Sequence, residues 1–320
     1  MKKLLTIILT VLLAMTMTAC NIGKKEDEKI IIGICQIEAH AALDAATQGF
    51  KDALIAEFGK DKLVFIDGNA AGDPATCATI CNGFVADGVD MILANSTPAL
   101  QAAAAATTTI PILGTSVTEY GVALNIENFN GLTGFNVSGT SDLAPLEEQA
   151  QMIIDILPDI KTVGILYCSS EANSIYQVKV VKTYLENKGV TVKTFAFTDS
   201  NDIYLVTGQA VDECEALYIP TDNKAASSAD IIDSVTRPAG VPVFCGEENT
   251  CLKCGVASLA INYYDLGVTT GNMAIKLLKG EVKIEEMPIE YFPNPVKKYN
   301  KEICEDLNMK MPSEFIPIGE

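Results

Sequence analysis

Short apolar runs alternate along the chain with longer stretches in which apolar residues recur every three or four positions. The run IIGIC at 31–35 is followed by a polar turn and then by AALDAATQGFKDALIAEF at 41–58, which ends at a glycine. Short apolar runs are typical of buried strands, and the wider spacing is typical of amphipathic helices. The pattern predicts a strand, a turn and a helix at the start of an α/β fold.

This strand–helix pattern occurs twice. In the first half, the opening unit is followed by three further strand segments: KLVFID, DMILANSTPALQAAA and IPILGTSVTE. In the second half the corresponding segments are VGILYCSSEANSIYQVKVVKTYLENKG, TVKTFAF, EALYIPTDNKAASSA and VPVFCGEENT. Strands that alternate with helices of ten to fifteen residues predict parallel sheets with helices on both faces. The sequence therefore predicts an α/β protein with two doubly wound parallel-sheet lobes. Two unrelated α/β domains in tandem would not explain why the strand ends correspond.

The polar residues that follow the corresponding strands differ between the two copies in a consistent way. The first copy has Gln36 to His40, Asn95-Ser96-Thr97 and Thr115-Ser116 at its strand ends. The second copy has Tyr167 to Glu171 with Asn173 and Ser174 just beyond, then Thr221-Asp222-Asn223, and Glu247. Ligands of open α/β sheets bind outside the carboxyl ends of the strands. We expect a cleft with hydroxyls and helix N-termini on one wall and carboxylates on the other, which suits a zwitterion.

The segment ANSTPALQ, 94–101, predicts a helix start with Thr97 as the N-cap and Pro98 as the first helical residue. Such a helix end can also bind a carboxylate or phosphate. In the second copy Asp222 stands where Thr97 stands in the first. From local sequence alone, Asp222 fits equally an N-cap and a ligand for an ammonium group. Turn chemistry explains Asn173 and Ser174 almost as well as ligand binding does.

The N-terminus predicts secretion. Residues 1–20 combine Lys2 and Lys3 with a short apolar run and the ending MTAC. This pattern is typical of a secretory signal peptide and is too short for a membrane span. MTAC resembles a lipobox, which would make Cys20 the lipidated first residue and 21–29 a flexible tether. An ordinary cleaved signal is the alternative.

The formal charge of −18 disfavours nucleic-acid binding, because phosphate contacts need a Lys/Arg surface.

Composition disfavours catalysis and a metal site. His40 is the one histidine of the chain, and neither a G-x-S-x-G serine motif nor a phosphate-binding G-x-x-x-x-G-K loop occurs. The near-pairs Cys77/Cys81 and Cys251/Cys254 lack further ligands at zinc-site spacing. Most of the other cysteines, such as Cys35, Cys168 and Cys245, lie beside apolar strand residues, which favours small core positions. We therefore predict no enzyme activity, no metal and no cofactor, while the sequence leaves open whether the cysteine near-pairs are reduced or bridged.

The strand-end segments resemble those of bacterial ABC-transporter substrate-binding lipoproteins, in the group with tryptophan- and tyrosine-binding members. The segments that carry the resemblance are ANSTPALQAAAAAT, IPILGTSVT, ALYIPTDNKAASS, VPVFCGEE and INYYDLGVTTGNMAIKLLKGE. The resemblance implies the fold of type I periplasmic binding proteins, in which three hinge segments join the lobes. It implies lobe 1 at 30–138 and 259–284, and lobe 2 at 139–258 and 285–320.

The resemblance also implies a function. The chain would capture an amino acid, possibly aromatic, or a related zwitterion by hinge closure, and would deliver it as a monomer to an ABC permease in the membrane. Ser96, Thr97 and Ser116 would hold the carboxylate, and Asp222 and Glu247 the ammonium. Gln36, Tyr167, Glu171 and Asn173 would border the side-chain pocket. A sugar or other neutral metabolite in the same fold is the main alternative, and an extracellular sensor module is another.

Overall fold

The computed structural model describes residues 29–292 and 295–319. The predicted leader, the lipidation at Cys20 and the tether up to residue 28 lie outside the described residues. None of the described helices is long and apolar enough to cross a membrane.

The chain first builds most of one lobe and then most of a second. Its first nine elements are β1 Ile30–Gln36, α1 Ala41–Phe58, β2 Leu63–Asn69, α2 Pro74–Asp87, β3 Met91–Asn95, α3 Thr97–Ala106, β4 Ile112–Val117, α4 Tyr120–Ala123 and β5 Val137–Ser141. The next eleven are α5 Leu146–Ile156, β6 Thr162–Cys168, α6 Ala172–Asn187, β7 Thr191–Phe197, α7 Ile203–Glu213, β8 Ala216–Ile219, α8 Asn223–Ser227, α9 Ala229–Ala239, β9 Val243–Cys245, α10 Glu248–Cys254 and β10 Ala257–Ala260. The last five are α11 Tyr263–Leu278, β11 Glu290–Tyr291, β12 Val296–Tyr299, α12 Lys301–Asp306 and β13 Ile316–Pro317.

The strands form two sheets. In lobe 1 the order is β11-β5-β4-β3-β1-β2, and all its pairs are parallel. In lobe 2 the order is β13-β12-β10-β9-β8-β6-β7, and the pair β10–β12 is antiparallel while the other pairs are parallel. The predicted α/β class with two parallel-sheet lobes is confirmed.

Each sheet has an apolar core on both faces. In β1, Ile32 and Ile34 pack with Phe50 of α1 and Met273 of α11. Cys35, on the opposite face, packs in a separate cluster with α2 and α3. Lobe 2 is divided in the same way by two further clusters. Burial on both faces explains why the strands appear in the sequence as continuous apolar runs.

The chain passes between the lobes three times, after β5, after β10 and after β11. The predicted boundaries are displaced by a few residues from these points. Residues 139–141 belong to β5 of lobe 1, residues 259–260 to β10 of lobe 2, and residues 290–291 to β11 of lobe 1. The first displacement has a clear reason, because β5 is the sequence VSGTS and lacks the apolar run that marks the other core strands.

Helices α1 and α11 cross at very short distance in lobe 1. A Cβ atom on Gly267 would collide with the Ala46 carbonyl oxygen, and one on Gly49 would collide with the Tyr264 carbonyl oxygen. Both obstacles are backbone atoms, so a side chain at either glycine requires the helices to separate. This contact fixes the start of α11, where the chain has just crossed from lobe 2.

Candidate functional site

A small cavity lies between the two lobes at the carboxyl ends of their strands. Its lining comes from both lobes and consists mainly of polar side chains. They are His40, Leu43, Ser116, Thr118, Asp142, Asn173, Thr221, Asp222, Asn223, Ala226, Glu247 and Tyr263. The lining includes six of the thirteen predicted ligand-binding residues, namely Ser116, Asn173, Thr221, Asp222, Asn223 and Glu247.

The hydroxyl wall comes from lobe 1. Ser96, not Thr97, caps α3, because its Oγ accepts the Ala99 N–H at 3.3 Å and Thr97 is already helical. Thr97 Oγ1 and Ser116 Oγ are buried and have no hydrogen-bond partner among the described residues. Buried hydroxyls without a partner are costly, and of these two residues Ser116 lines the cavity while Thr97 does not, so Ser116 is suited to bind a group that enters the cleft.

Ser116 is held in an unusual backbone conformation. Its φ is +54°, which is uncommon for a residue other than glycine. The sheet register between β4 and β5 shifts just there, between Gly114 and Val117. The shift turns the Ser116 side chain out of the regular strand alternation and toward the cavity, where it is 6% exposed.

Asp142 is a cavity residue that the sequence reasoning missed. It follows β5 directly, is 3% exposed, and accepts a hydrogen bond from Tyr263 Oη on Oδ2 at 2.8 Å. Its Oδ1 is buried and has no partner among the described residues. Burial raises the pKa of Asp142 to about 6, an effect that the Tyr263 and Thr118 hydroxyls partly offset and the charge of Glu247 reinforces. A cation near Oδ1 would be strongly favoured.

Asp222 lines the cavity, but its carboxylate is already occupied. Oδ1 accepts the Ala225 N–H at 2.8 Å and caps α8, and Oδ2 accepts the Cys168 N–H and Ser174 Oγ, both at 2.7 Å. Burial, and then the neighbouring charge of Glu171, raise the pKa of Asp222 to about 7. Of the two interpretations left open by the sequence, the cap is the one for which contacts are present.

Glu171 and Glu247 are occupied in the same way. Glu171 accepts hydrogen bonds from the backbone N–H groups of Asn223 and Lys224 at 3.1 and 3.0 Å, so it also stabilises the start of α8. Glu247 caps α10, accepting the Asn249 N–H at 2.7 Å and the N–H and hydroxyl of Thr250. Glu171 lies behind the cavity wall and Glu247 lies in it.

Three predicted residues point elsewhere. Gln36 is buried in a lobe 1 network, where its amide donates to Asp44 at 2.7 Å and its oxygen accepts from Thr47 at 2.8 Å. Thr115 accepts a hydrogen bond from Thr140 at 3.4 Å on the face of the sheet that packs against α11. Tyr167 is half-buried against the lobe 2 core. None of the three lines the cavity.

Asn173, Asn223 and His40 also line the cavity. Glu171 Oε2 accepts from the side-chain amides of Asn173 and Asn223 at 3.1 and 2.6 Å. His40 Nε2 lies 3.4 Å from Asn223 Oδ1, across the gap between the lobes. Asn173 Oδ1 and His40 Nδ1 are buried without a partner among the described residues.

A second contact between the lobes lies beside His40. Lys224 Nζ is 3.1 Å from Glu38 Oε2, and the two side chains are only 14% and 18% exposed. This ion pair and the His40–Asn223 contact join the turn after β1 to the start of α8. Together they bridge the two lobes beside the cavity.

The nine cysteines within the described residues are free and buried. Two groups of three lie in corresponding places: Cys35 with Cys77 and Cys81 in lobe 1, and Cys245 with Cys251 and Cys254 in lobe 2. The neighbouring thiols and then burial raise the pKa of Cys35, whereas burial and then the neighbouring thiols raise the pKa of Cys245. In the part of the chain that the structure describes, no group of three or more histidine, cysteine or acidic side chains is arranged to hold a metal ion.

Replacing Asp222 by alanine is expected to lower the free energy of unfolding by about 2–3 kcal/mol, since it removes a cap and leaves a buried N–H unsatisfied. The N–H is that of Cys168. Urea denaturation of the ligand-free protein measures the loss. Asp222→Asn keeps an acceptor oxygen and should lose less. Equal stability of the alanine variant and the unsubstituted protein would contradict the capping role.

The family model of the ABC transporter substrate-binding protein matches residues 31–317. The tyrosine-binding protein of Clostridioides difficile is 32% identical, over 97% of this chain and 93% of the relative. Among solved structures, an ABC domain from Streptococcus pneumoniae in complex with L-Trp is 33% identical, with a TM-score of 0.85 over 89% of this chain and 97% of that one.

A further relative indicates which arrangement of the lobes this structure has. The ligand-free, open structure of a substrate-binding protein from Clostridium difficile is 35% identical and covers 90% of this chain and 98% of that one, yet its TM-score is 0.68. Because sequence identity is nearly the same in both comparisons, divergence does not explain the lower score. The lobes of this chain are arranged more like those of the L-Trp complex than like those of the open form.

Proposed function

The chain belongs to the ABC transporter substrate-binding protein family, and on this basis we propose that it captures an amino acid, with an aromatic one as the leading candidate, in the cavity between its lobes. One observation carries the proposal. Ser116 Oγ and Asp142 Oδ1, a hydroxyl and a carboxylate oxygen, line the same closed cavity, and both lack partners among the described residues. A free amino acid supplies the matching carboxylate and ammonium.

The carboxylate of the ligand would bind the hydroxyl of Ser116, with Thr97 and the N-terminus of α3 nearby. Helix α3 has ten residues, and its dipole favours an anion at that end. The ammonium would bind Asp142 Oδ1 in a charge-assisted hydrogen bond. Asp222 and Glu247, expected from the sequence to hold the ammonium, would instead fix α8 and α10 and add negative potential around it.

Calorimetric titration of the secreted domain with each of the twenty amino acids tests the proposal. Relatives that bind tyrosine and L-Trp make these two the first ligands to try. Binding of one or more amino acids, lost when the α-amino group or the carboxylate of the ligand is blocked, is the expected result. Binding of a sugar and of none of the amino acids would refute the proposal.

The hydroxyl of Ser116 gives a specific prediction. Ser116→Gly removes the hydroxyl and suits the positive φ of this position, so the variant should fold normally. Loss of one hydrogen bond to a charged group is worth about 1.5–3 kcal/mol, so amino-acid affinity should fall by about 10- to 100-fold. Thr115→Ser on the same strand keeps its hydroxyl and should bind normally. Unchanged affinity in Ser116→Gly would exclude this residue from the site.

Membership of the family implies a role outside the cytoplasm. We further propose that a lipid on Cys20 anchors the protein to the membrane, that it acts as a monomer without catalysis or nucleic-acid binding, and that an ABC permease receives the ligand. The MTAC segment supports the lipid anchor, the acidic composition argues against nucleic-acid binding, and the family supports delivery to a permease. Metabolic labelling with a palmitate analogue, compared between the natural protein and Cys20→Ala, tests the anchor.

A further inference from the structure

Lys224 of lobe 2 reaches across the gap between the lobes into a recess of lobe 1. Its Nζ lies 3.1 Å from Glu38 Oε2, and its side chain is only 14% exposed. Gly72 forms another wall of the recess, since a Cβ atom on this glycine would collide with Lys224 Nζ. Lys224 and Glu38 are not among the residues that line the cavity. Their contact therefore concerns how the lobes meet and not what lies between them.

The recess is built by contacts within lobe 1 alone. It lies between the turn that follows β1 and the turn that follows β2. The Gly72 N–H donates to the Ile37 carbonyl at 2.7 Å, and the Ala70 N–H donates to the Gln36 carbonyl at 2.9 Å, which fixes the two turns to each other. The φ of Gly72 is +79°, a conformation that glycine adopts without strain. Because no atom of lobe 2 takes part in these contacts, the recess does not depend on closure of the lobes.

The backbone of Lys224 is fixed within lobe 2 in the same way. Its N–H donates to Glu171 Oε1 at 3.0 Å, and the N–H of the preceding Asn223 donates to Glu171 Oε2 at 3.1 Å. Glu171 itself is 6% exposed. Only the side chain of Lys224 must therefore become ordered when the lobes meet. Partners that are held in place beforehand lose less conformational entropy on contact, so more of the interaction energy remains.

Both members of the ion pair are largely withdrawn from water. The Lys224 and Glu38 side chains are 14% and 18% exposed, whereas those of Lys253 and Asp230, an ion pair within lobe 2, are 46% and 75% exposed. Exposed pairs contribute little, because water screens them. In a desolvated pair, removal of one partner leaves the other charge unpaired, and the effect falls mainly on the rate of separation. Opening of the lobes must separate Lys224 from Glu38 before water can solvate both charges.

We propose that Lys224, seated between Glu38 and Gly72, is a latch that holds the two lobes closed and slows their opening. The inference rests on the proposed function only in that the lobes close over a ligand, and it holds for a ligand of any chemistry. Since neither charged side chain lines the cavity, the latch lengthens the time that a ligand stays bound without selecting among ligands.

Single-molecule fluorescence energy transfer between dyes on exposed residues of the two lobes tests the latch. It measures the lifetime of the closed arrangement directly, without ligand and with L-tyrosine or L-tryptophan. Lys224→Met and Glu38→Gln should each shorten this lifetime by about 10-fold, because each leaves one charge unpaired between closed lobes. In the double variant both charges are gone, so the two effects should not multiply. Lys253→Met, which breaks the exposed pair within lobe 2, is the control and should leave the lifetime unchanged.

Gly72→Ala tests the recess while keeping both charges. Its Cβ would displace Lys224 Nζ from Glu38, so the closed lifetime should shorten about as much as in Lys224→Met. The matched control is Gly59→Ala. Gly59 has a φ of +83°, so alanine is strained there as well, but an added Cβ would have no atom within 4 Å. Both alanine variants should lose stability to urea through this strain, and only Gly72→Ala should open faster.

Three results would overturn the inference. The first is a closed lifetime in Lys224→Met within about two-fold of that of the unsubstituted protein. The second is equal shortening in either control variant. The third is a protein whose lobes never close, with or without an amino acid, which would refute the proposed function as well. Failure of the proposed function alone looks different: no amino acid lengthens the closed lifetime, yet the ligand-free lobes still open faster in Lys224→Met.

Discussion

Asp142→Asn is expected to weaken amino-acid binding by about 30-fold or more, the largest effect on affinity of any single substitution in the cavity. Asparagine keeps the acceptor for Tyr263 Oη and the shape of the side chain, but it removes the negative charge at the unpartnered Oδ1. Removing one member of a buried charge pair costs about 2–5 kcal/mol, because the other charge stays buried and unpaired. Calorimetric titration measures the loss, and Glu57→Gln, at an exposed position in α1, is the control.

The same substitution should have the opposite effect on the empty protein. The folded pKa of Asp142, about 6, lies above its ordinary value. Its contribution to stability is therefore fully present below pH 4 and is lost as the pH rises through about 6. At pH 7.5 without ligand, Asp142→Asn should thus melt at a higher temperature than the unsubstituted protein, and the difference should shrink toward pH 4.

The affinity for the ligand should rise with pH, in the opposite direction to the stability of the ligand-free protein. The ammonium needs the ionised carboxylate, so affinity for the amino acid should fall as the pH drops below about 6. In Asp142→Asn this dependence should be largely absent. An asparagine variant that binds normally, or an affinity that stays constant from pH 7.5 to pH 5, would show that Asp142 does not hold the ammonium.

Gly267→Leu is expected to have the largest effect on stability. A side chain at Gly267 collides with the backbone of Ala46, and relief requires α11 to move away from α1. We expect a loss of about 3–5 kcal/mol in the free energy of unfolding, at the upper end for a single overpacking substitution. Urea denaturation followed by circular dichroism measures it.

Gly83→Leu is the matched control for this substitution. Gly83 lies in the middle of α2, is exposed, and would have no atom within 4 Å of an added Cβ. Leucine there should stabilise the helix by about 0.5–1 kcal/mol, because glycine is a poor helix former. Similar effects of the two substitutions would mean that the close crossing of α1 and α11 does not limit stability.

Much of the fold could be predicted from the sequence, because the core strands are buried on both faces and appear as apolar runs. The repeat located eight of the strands and the polar residues at their ends. The repeat could not show which groups the polar residues at each strand end contact. Ser116 and Asp222 both follow buried strands, yet Ser116 Oγ has no partner among the described residues and the oxygens of Asp222 have three donors.

Asp142 and Tyr263 escaped prediction for two different reasons. Asp142 follows VSGTS, a strand of small and polar residues with no apolar alternation to mark it. Tyr263 lies at the start of an amphipathic helix, where its sequence INYYDLG gives no reason to prefer it over Tyr264. Only their positions at two crossing points distinguish them, and the crossing points depend on the tertiary arrangement. The sequence could not distinguish Ser96 from Thr97 as the cap of α3, because either of two adjacent hydroxyl residues suits that position.

The hydrogen bond between Asp142 and Tyr263 joins the first crossing segment to the start of the helix that follows the second. When two lobes rotate about their connections, atoms near the axis move little and atoms far from it move most. The Asp142 end of the cavity would therefore be nearly complete before closure, whereas the contact between His40 and Asn223 would form only as the lobes meet. An arriving amino acid would therefore meet Asp142 before the contact between His40 and Asn223 closes. Release would require that contact to break first, so its lifetime would limit the rate of dissociation.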